Sequence, residues 1–224
     1  MSIALRTLAL ISLLLAPCVM VPVLAKDQTG EAVNDEVGFE RLFDGQSFAG
    51  WEGDLQWFRI EDATIIAGSL TKDIPHNFFL CTKESYEDFE LRLEAKLVGK
   101  GDNAGIQFRT ARIANHHEVS GYQADMGMAW DRPVWGALYD ESRRNKMLAE
   151  GAKDQVAMVL KPGDWNEIVV RCEGARVQIW LNGLKTVDFQ EQDPQILRSG
   201  VIGLQIHGGA PAEASYRKIR LKRL

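Results

Sequence analysis

Between Phe39 and Leu224 the strongest regularity in this chain is a period of two. In Phe89–Leu97, the residues Phe89, Leu91, Leu93, Ala95 and Leu97 alternate with Glu90, Arg92, Glu94 and Lys96. Successive side chains of an extended backbone point to opposite faces, so this segment reads as a strand with one wet face and one buried face. A helix would need its apolar residues three and four apart. The run Trp165–Cys172, the pair Glu173-Gly174 and the run Ala175–Leu181 read as two strands about a tight turn. Asn182-Gly183 is a type I′ hairpin signal that leads into Lys185–Phe189. Further short strands are predicted at Trp57–Ile60, Thr64–Ala67, Asn77–Thr82, Gly105–Thr110, Gly121–Met126, Val201–Ile206 and Tyr216–Leu221. Helical signal is thin: Asp140–Ala152 is the best candidate, and its narrow apolar stripe suits a surface excursion better. Many short strands with turn residues between them specify an all-β sandwich or jelly roll.

The start of the chain has a different character. Arg6 is the only charge in residues 1–25, Leu8–Leu15 is an apolar run, and Val23-Leu24-Ala25 suits a small-residue cleavage site. That layout predicts a signal peptide over residues 1–25 and export to the periplasm or beyond. Residues 26–38 are polar and aperiodic, a flexible lead-in, and 39–224 shows neither linker nor repeat, so one domain is expected there. A formal net charge of −5 gives no electrostatic reason to bind nucleic acid or an anionic membrane. Once Cys18 leaves with the signal, Cys81 and Cys172 remain. Export permits a disulfide between them, whereas their apolar surroundings (NFFLC and IVVRC) suit buried free thiols.

Three strands carry a pattern that a core does not need. Gly105, Gln107 and Arg109 share one face of their strand; Gly121, Gln123, Asp125 and Gly127 share another; so do Gly203, Gln205, His207 and Gly209. Glycine, glutamine and a charged or titratable residue in that order suggest a concave polar floor, with glycines leaving room for a ligand. Amides offer paired donors and acceptors that match sugar hydroxyls, and Trp51, Trp57, Trp130, Trp135, Trp165 and Trp180 are candidate platforms for a sugar ring. His207 is the titratable group best suited to proton transfer at neutral pH, with Asp125 and Glu141 as partners. His116-His117 is weak evidence, because neighbours on an extended segment point apart, and His76 beside Pro75 reads as loop. Nucleophile elbow, phosphate loop and dinucleotide fingerprint are all absent from the sequence.

Several segments, in order, resemble one family. They are Phe43–Ser47 leading to Trp51, Thr82-Lys83-Glu84 with Asp88–Leu93, Asn103–Arg109, Gly121–Asp125, Gly136–Glu141, Asp164–Gly174, Trp180–Gly183 and Gly200–Gly209. Together they are similar to the bacterial 3-keto-disaccharide hydrolase domain family, with Asn103-Ala104-Gly105 in place of the commoner Asn-Ser-Gly. The resemblance implies a concanavalin A-like jelly-roll sandwich of two antiparallel sheets. It also implies action on glycosides already oxidised at C3 by a partner sugar 3-dehydrogenase. C2 deprotonation and β-elimination, or net hydrolysis at C1, would then cleave the bond. On that basis His207 is the expected base, Asp125 its orienter or the acid, and Arg109 the group that holds the enolate oxygen. Gln107, Gln123 and Gln205 would bind hydroxyls, with Tyr139 and Glu141 at the rim. A divalent metal is a candidate cofactor, with Asp125, Glu141 and His207 as its available ligands. Two other readings stay open: a non-catalytic, lectin-like carbohydrate-binding module of the cell envelope, and a two-carboxylate glycosidase using Asp125 and Glu141.

Overall fold

Alternation over so many short segments is realised as two stacked sheets. The computed structural model describes residues 37–101 and 103–224, so the expected signal peptide and nearly all of the expected lead-in lie outside the described residues. The strands are β1 (Glu40–Arg41), β2 (Trp51–Glu52), β3 (Phe58–Glu61), β4 (Thr64–Ser69), β5 (Phe78–Thr82), β6 (Phe89–Gly99), β7 (Asn103–Arg112) and β8 (Val119–Ala129). There follow β9 (Arg132–Pro133), β10 (Leu138–Glu141), β11 (Lys146–Ala149), the helix α1 (Lys153–Val159), β12 (Asn166–Glu173), β13 (Arg176–Leu181), β14 (Leu184–Gln190), β15 (Val201–Ile206) and β16 (Ala212–Arg223).

The back sheet runs β14-β13-β12-β6-β16-β4-β3, with β1 also on β16; the front sheet runs β11-β10-β8-β7-β15-β5-β2, with β9 on β8. The pairings are antiparallel. This is the jelly-roll sandwich that the alternation predicts. The core lies between the sheets, where Phe89, Leu91 and Leu93 of β6 and Ile168 and Val170 of β12 face Ile106, Phe108, Ala124 and Leu204 of the front sheet. Each large side chain buried there stabilises the fold by about 1.5–3 kcal/mol. Asn182 and Gly183 take φ of 48° and 84°, the left-handed pair that a type I′ turn demands, and join β13 to β14.

Two readings that the sequence left open are decided. The segment 140–152 is not helical: it supplies the end of β10 and all of β11, and the helix begins just after it at Lys153. Within Lys153–Val159 only Val156 is buried and no side chain caps the N-terminus, so the apolar stripe is as thin as the surface position requires. Cys81 and Cys172 are free and buried, and they sit in different sheets. Burial pushes the Cys81 thiol up to about 11 and the Cys172 thiol up to about 12. Among the described residues, no helix is long and apolar enough to cross a membrane.

Candidate active site

The site is shaped by one irregularity in the front sheet. Strands β7 and β8 form a hairpin that is regular from Asn103↔Gly127 to Phe108↔Tyr122, then shifts register before Ala111↔Ser120. Within the shift Arg109 takes φ 46°, in the left-handed region that non-glycine residues seldom occupy. A bulge of this kind bends the strand, and here the hairpin tip folds across the outer face of its own sheet towards β5 and β2. Arg112 Nε donates to Glu52 Oε1 at 2.8 Å, and Asn77 Nδ2 donates to Glu118 Oε1 at 3.0 Å. Val119 packs with Phe79 and Cys81. The ring of His117 stacks on those of His76 at 4.2 Å and His116 at 4.4 Å. The adjacent histidines meet because Asn115, at φ 57°, turns the tip, where the sequence suggested an extended segment.

The tip divides the outer face into a sealed part and an open end. Reading across the sheet, one row of residues is Tyr139, Gln123, Gln107, Gly203 and Cys81, and the next is Asp125, Gly105, Gln205 and Phe79. Gln107, Gln205 and Cys81 have no solvent exposure, and Phe79 has 4%. Of the three expected hydroxyl-binding glutamines, only Gln123, itself 2% exposed, lines the open cavity. Gln107 is spent on Gln123, and both side-chain polar atoms of Gln205 are buried without a partner. The glycines also serve the amides. A Cβ on Gly105 would lie 2.4 Å from Gln123 Cδ, and one on Gly203 would lie 3.1 Å from Gln107 Cβ.

At the open end is a cavity of about 440 Å³, within the range of small-ligand sites. Gln123 and Asp125 of β8 line it, with Tyr139 and Glu141 of β10 on one side and His207, just past β15, on the other. Asn77, Lys100, Asn103 and Trp130 complete its walls from strand ends and loops. Asp125 and His207 are thus two strand spacings apart, about 10 Å of backbone. A hexose ring can lie between them.

A one-way chain of hydrogen bonds ends on Asp125. Thr110 Oγ1 donates to Gln107 Oε1 at 3.0 Å, Gln107 Nε2 donates to Gln123 Oε1 at 2.5 Å, and Gln123 Nε2 donates to Asp125 Oδ1 at 2.5 Å. Asp125 is only 3% exposed. Burial, helped by the Glu141 charge, pushes its carboxyl up to about 7, against the opposing pull of the Gln123 bond and Arg132. Glu141 is pushed up to about 7 by burial and by the Glu118 charge. His207 is exposed, and its Nδ1 lies 2.6 Å from the Gly208 carbonyl. A carbonyl only accepts, so Nδ1 carries the hydrogen and Nε2 of the neutral ring is left with a lone pair. The imidazole is therefore oriented by Gly208, and Asp125 by Gln123.

The expectation for Arg109 fails. The bulge turns its side chain away from the cavity: Nε donates to the Glu87 carbonyl at 2.9 Å, Nη1 to the Gly174 carbonyl at 2.7 Å and Nη2 to Asp88 Oδ1 at 2.8 Å. Arg109 fastens the front sheet to the β12–β13 turn of the back sheet. Arg109→Leu should lower stability by about 1–3 kcal/mol, the cost of stranding those acceptors, and leave kcat of the folded protein nearly unchanged. Chemical unfolding and activity measured on one preparation check both halves.

The cation that does line the cavity is Lys100. Its side chain stands at the strand-end loop between β6 and β7, and nothing in the period-two pattern singles it out. The same is true of Asn77, whose Oδ1 accepts from the Gly208 N–H at 2.9 Å and so braces the turn that holds His207. Asp125, Glu141 and His207, the candidate metal ligands, all line the cavity. Among the described residues, no three His, Cys, Asp or Glu side chains converge in a way that could hold an ion.

Known structures share this architecture. A putative glycosyl hydrolase of Parabacteroides distasonis superposes with a TM-score of 0.60 at 19% identity, covering 84% of this chain and 94% of its own. A Bacillus subtilis protein of unknown function with a galectin-like fold gives 0.60 at 15% identity, covering 84% and 95%. The carbohydrate-binding module CBM66 of Bacillus subtilis gives 0.55 at 14% identity, covering 77% and 95%. These likenesses are of fold. No curated protein matches the sequence. Residues 38–222 match the family model of the 3-keto-alpha-glucoside-1,2-lyase-like domain, and the chain belongs to that family.

Proposed function

We propose that this chain is an exported enzyme that cleaves 3-keto-glycosides, 3-keto-disaccharides among them, by removing the C2 proton and expelling the C1 substituent. The observation that carries this reading is the buried carboxyl of Asp125, pushed up to about 7, facing an imidazole with a free lone pair across a sugar-sized gap. A ketone at C3 acidifies the C2 hydrogen, so little catalytic machinery is needed. His207 Nε2 takes that proton, and the electron pair moves to O3 as an enolate. Lys100 lines the same cavity and is the cation available there to stabilise that charge, the role the family resemblance gave to Arg109. The enolate then re-forms the C3 carbonyl, a C1–C2 double bond forms, and the C1–O bond breaks as Asp125 donates its proton to the leaving oxygen. Addition of water at C1, with protonation at C2, completes net hydrolysis to the free 3-keto sugar. Gln123, Tyr139 and Glu141 offer hydrogen bonds to the hydroxyls. A sugar 3-dehydrogenase must supply the substrate, and the signal peptide proposed over residues 1–25 places the reaction outside the cytoplasm.

A carbohydrate-binding module, the class to which CBM66 is assigned by name, has the same fold but no use for a buried carboxyl pushed up to about 7. A two-carboxylate glycosidase would use Asp125 and Glu141 as its acid and base and would not need the ketone. Turnover in deuterium oxide separates the mechanisms. Elimination followed by hydration leaves solvent deuterium at C2 of the product. Direct displacement at C1 leaves the original hydrogen there, and that result would reject the proton-abstraction route.

A further inference from the structure

Trp130 is the exposed aromatic residue of the cavity wall, and its backbone is unusual. Ala129 pairs with Arg132 across a two-residue turn in which Trp130 and Asp131 take φ of 49° and 59°. That is the geometry of a type I′ hairpin, in which asparagine and glycine are the favoured occupants. A bulky indole in this conformation is costly, and such strain persists at sites where the side chain has a task. The residue is 62% exposed. It is nevertheless held in place: the Arg132 guanidinium lies 5.7 Å from its ring, the Tyr139 ring lies 5.9 Å away, and Arg132 is itself tied to Glu150.

The remaining tryptophans have other employment. Trp51 and Trp135 are buried, Trp57 stacks on Phe78 at 5.0 Å, and Trp165 lies under the Arg217 guanidinium at 4.0 Å. Trp180, on β13, belongs to the back sheet. Trp130 overhangs the side of the cavity formed by Asp125, Tyr139 and Glu141, across from His207. If the keto ring lies with its C2 hydrogen towards His207, its leaving oxygen points to Asp125 and its aglycone continues towards Trp130.

We propose that the Trp130 indole is the platform for the leaving group, and that it selects glycosides whose aglycone is itself a ring, a second sugar or an aromatic group. This rests on the reading of Asp125 and His207 given above. Sugar and aromatic rings both present flat faces that stack on an indole, and each such contact contributes enough to alter recognition several-fold.

The test variant is Trp130→Asn, because asparagine suits the left-handed turn and removes only the indole; thermal unfolding should show the fold intact. The readout is the ratio of kcat/KM for a 3-keto-disaccharide to that for methyl 3-keto-glucoside. The proposal expects that ratio to fall about 10-fold in Trp130→Asn and to recover in Trp130→Phe. An unchanged ratio, whatever happens to the separate rates, overturns it. Binding of the unoxidised disaccharide, followed by the indole N–H resonances, separates the two levels of inference. A shift of the Trp130 resonance with no cleavage of either keto glycoside would reject the reaction and retain the platform. Cleavage of both with no such shift and no change of ratio would reject the platform and retain the reaction.

Discussion

Replacing Asp125 with asparagine is expected to abolish turnover and to stabilise the protein in the same stroke. Loss of a positioned proton donor costs about 10²–10⁴-fold in kcat. The stability gain follows from the folded-state pKa. An unfolded aspartate titrates at about 3.9, whereas Asp125 in the fold is raised to about 7. A raised carboxyl pKa means that the folded state holds the proton more tightly, so its penalty is absent below pH 4, grows as pH rises, and is complete above pH 7. Asp125→Asn removes that penalty, worth about 2–4 kcal/mol at pH 8 and vanishing towards pH 4. The Gln123 bond survives, because the asparagine carbonyl still accepts it. In the parent enzyme kcat should fall above pH 7, as the acid ionises. Unfolding of both proteins at pH 8 and at pH 5, beside a pH–rate profile, checks all three statements. A variant that is inactive and less stable at pH 8 would mark Asp125 as structural.

His207→Gln should lower kcat by about 10²–10⁴-fold while the sugar still binds. The imidazole is exposed and makes its Nδ1 contact within its own turn, so its loss strands nothing in the core. Calorimetry with an unoxidised disaccharide and turnover of the keto form, measured on the same variant, separate affinity from rate. Loss of binding together with turnover would make His207 a ligand contact. Unchanged turnover would remove it from the mechanism.

The sheets were legible because burial on one face writes its period directly into the chain. Phe89–Leu97 and Val201–Ile206 alternate as strands and are strands. The same rule placed Gln123, Asp125 and His207 on one face, and those three line the cavity. It failed at Arg109, where a single residue at φ 46° breaks the parity and redirects the side chain to the far turn. Nothing in Phe108-Arg109-Thr110 advertises a bulge, and without the bulge the hairpin tip would not reach Glu52, Asn77 and His76. The open end of the site is built from Asn77, Lys100 and Trp130, which stand at strand ends and turns where periodicity carries no information. The segment 140–152 is a surface excursion, as its narrow apolar stripe suggested. Its charges suit a surface helix, yet the Asp140 carboxylate is buried among Arg143 and Arg144, and that cluster fixes the turn between β10 and β11.

On the proposed mechanism the ketone, and not a strong general acid–base pair, makes the bond labile. That mechanism is tested most directly by giving the protein one glucoside and its 3-keto derivative side by side and following leaving-group release by mass spectrometry. Release from the keto glycoside alone is the expected result. Equal cleavage of the unoxidised glucoside would contradict C2 proton abstraction, and binding of both without release from either would make the chain a carbohydrate-binding module.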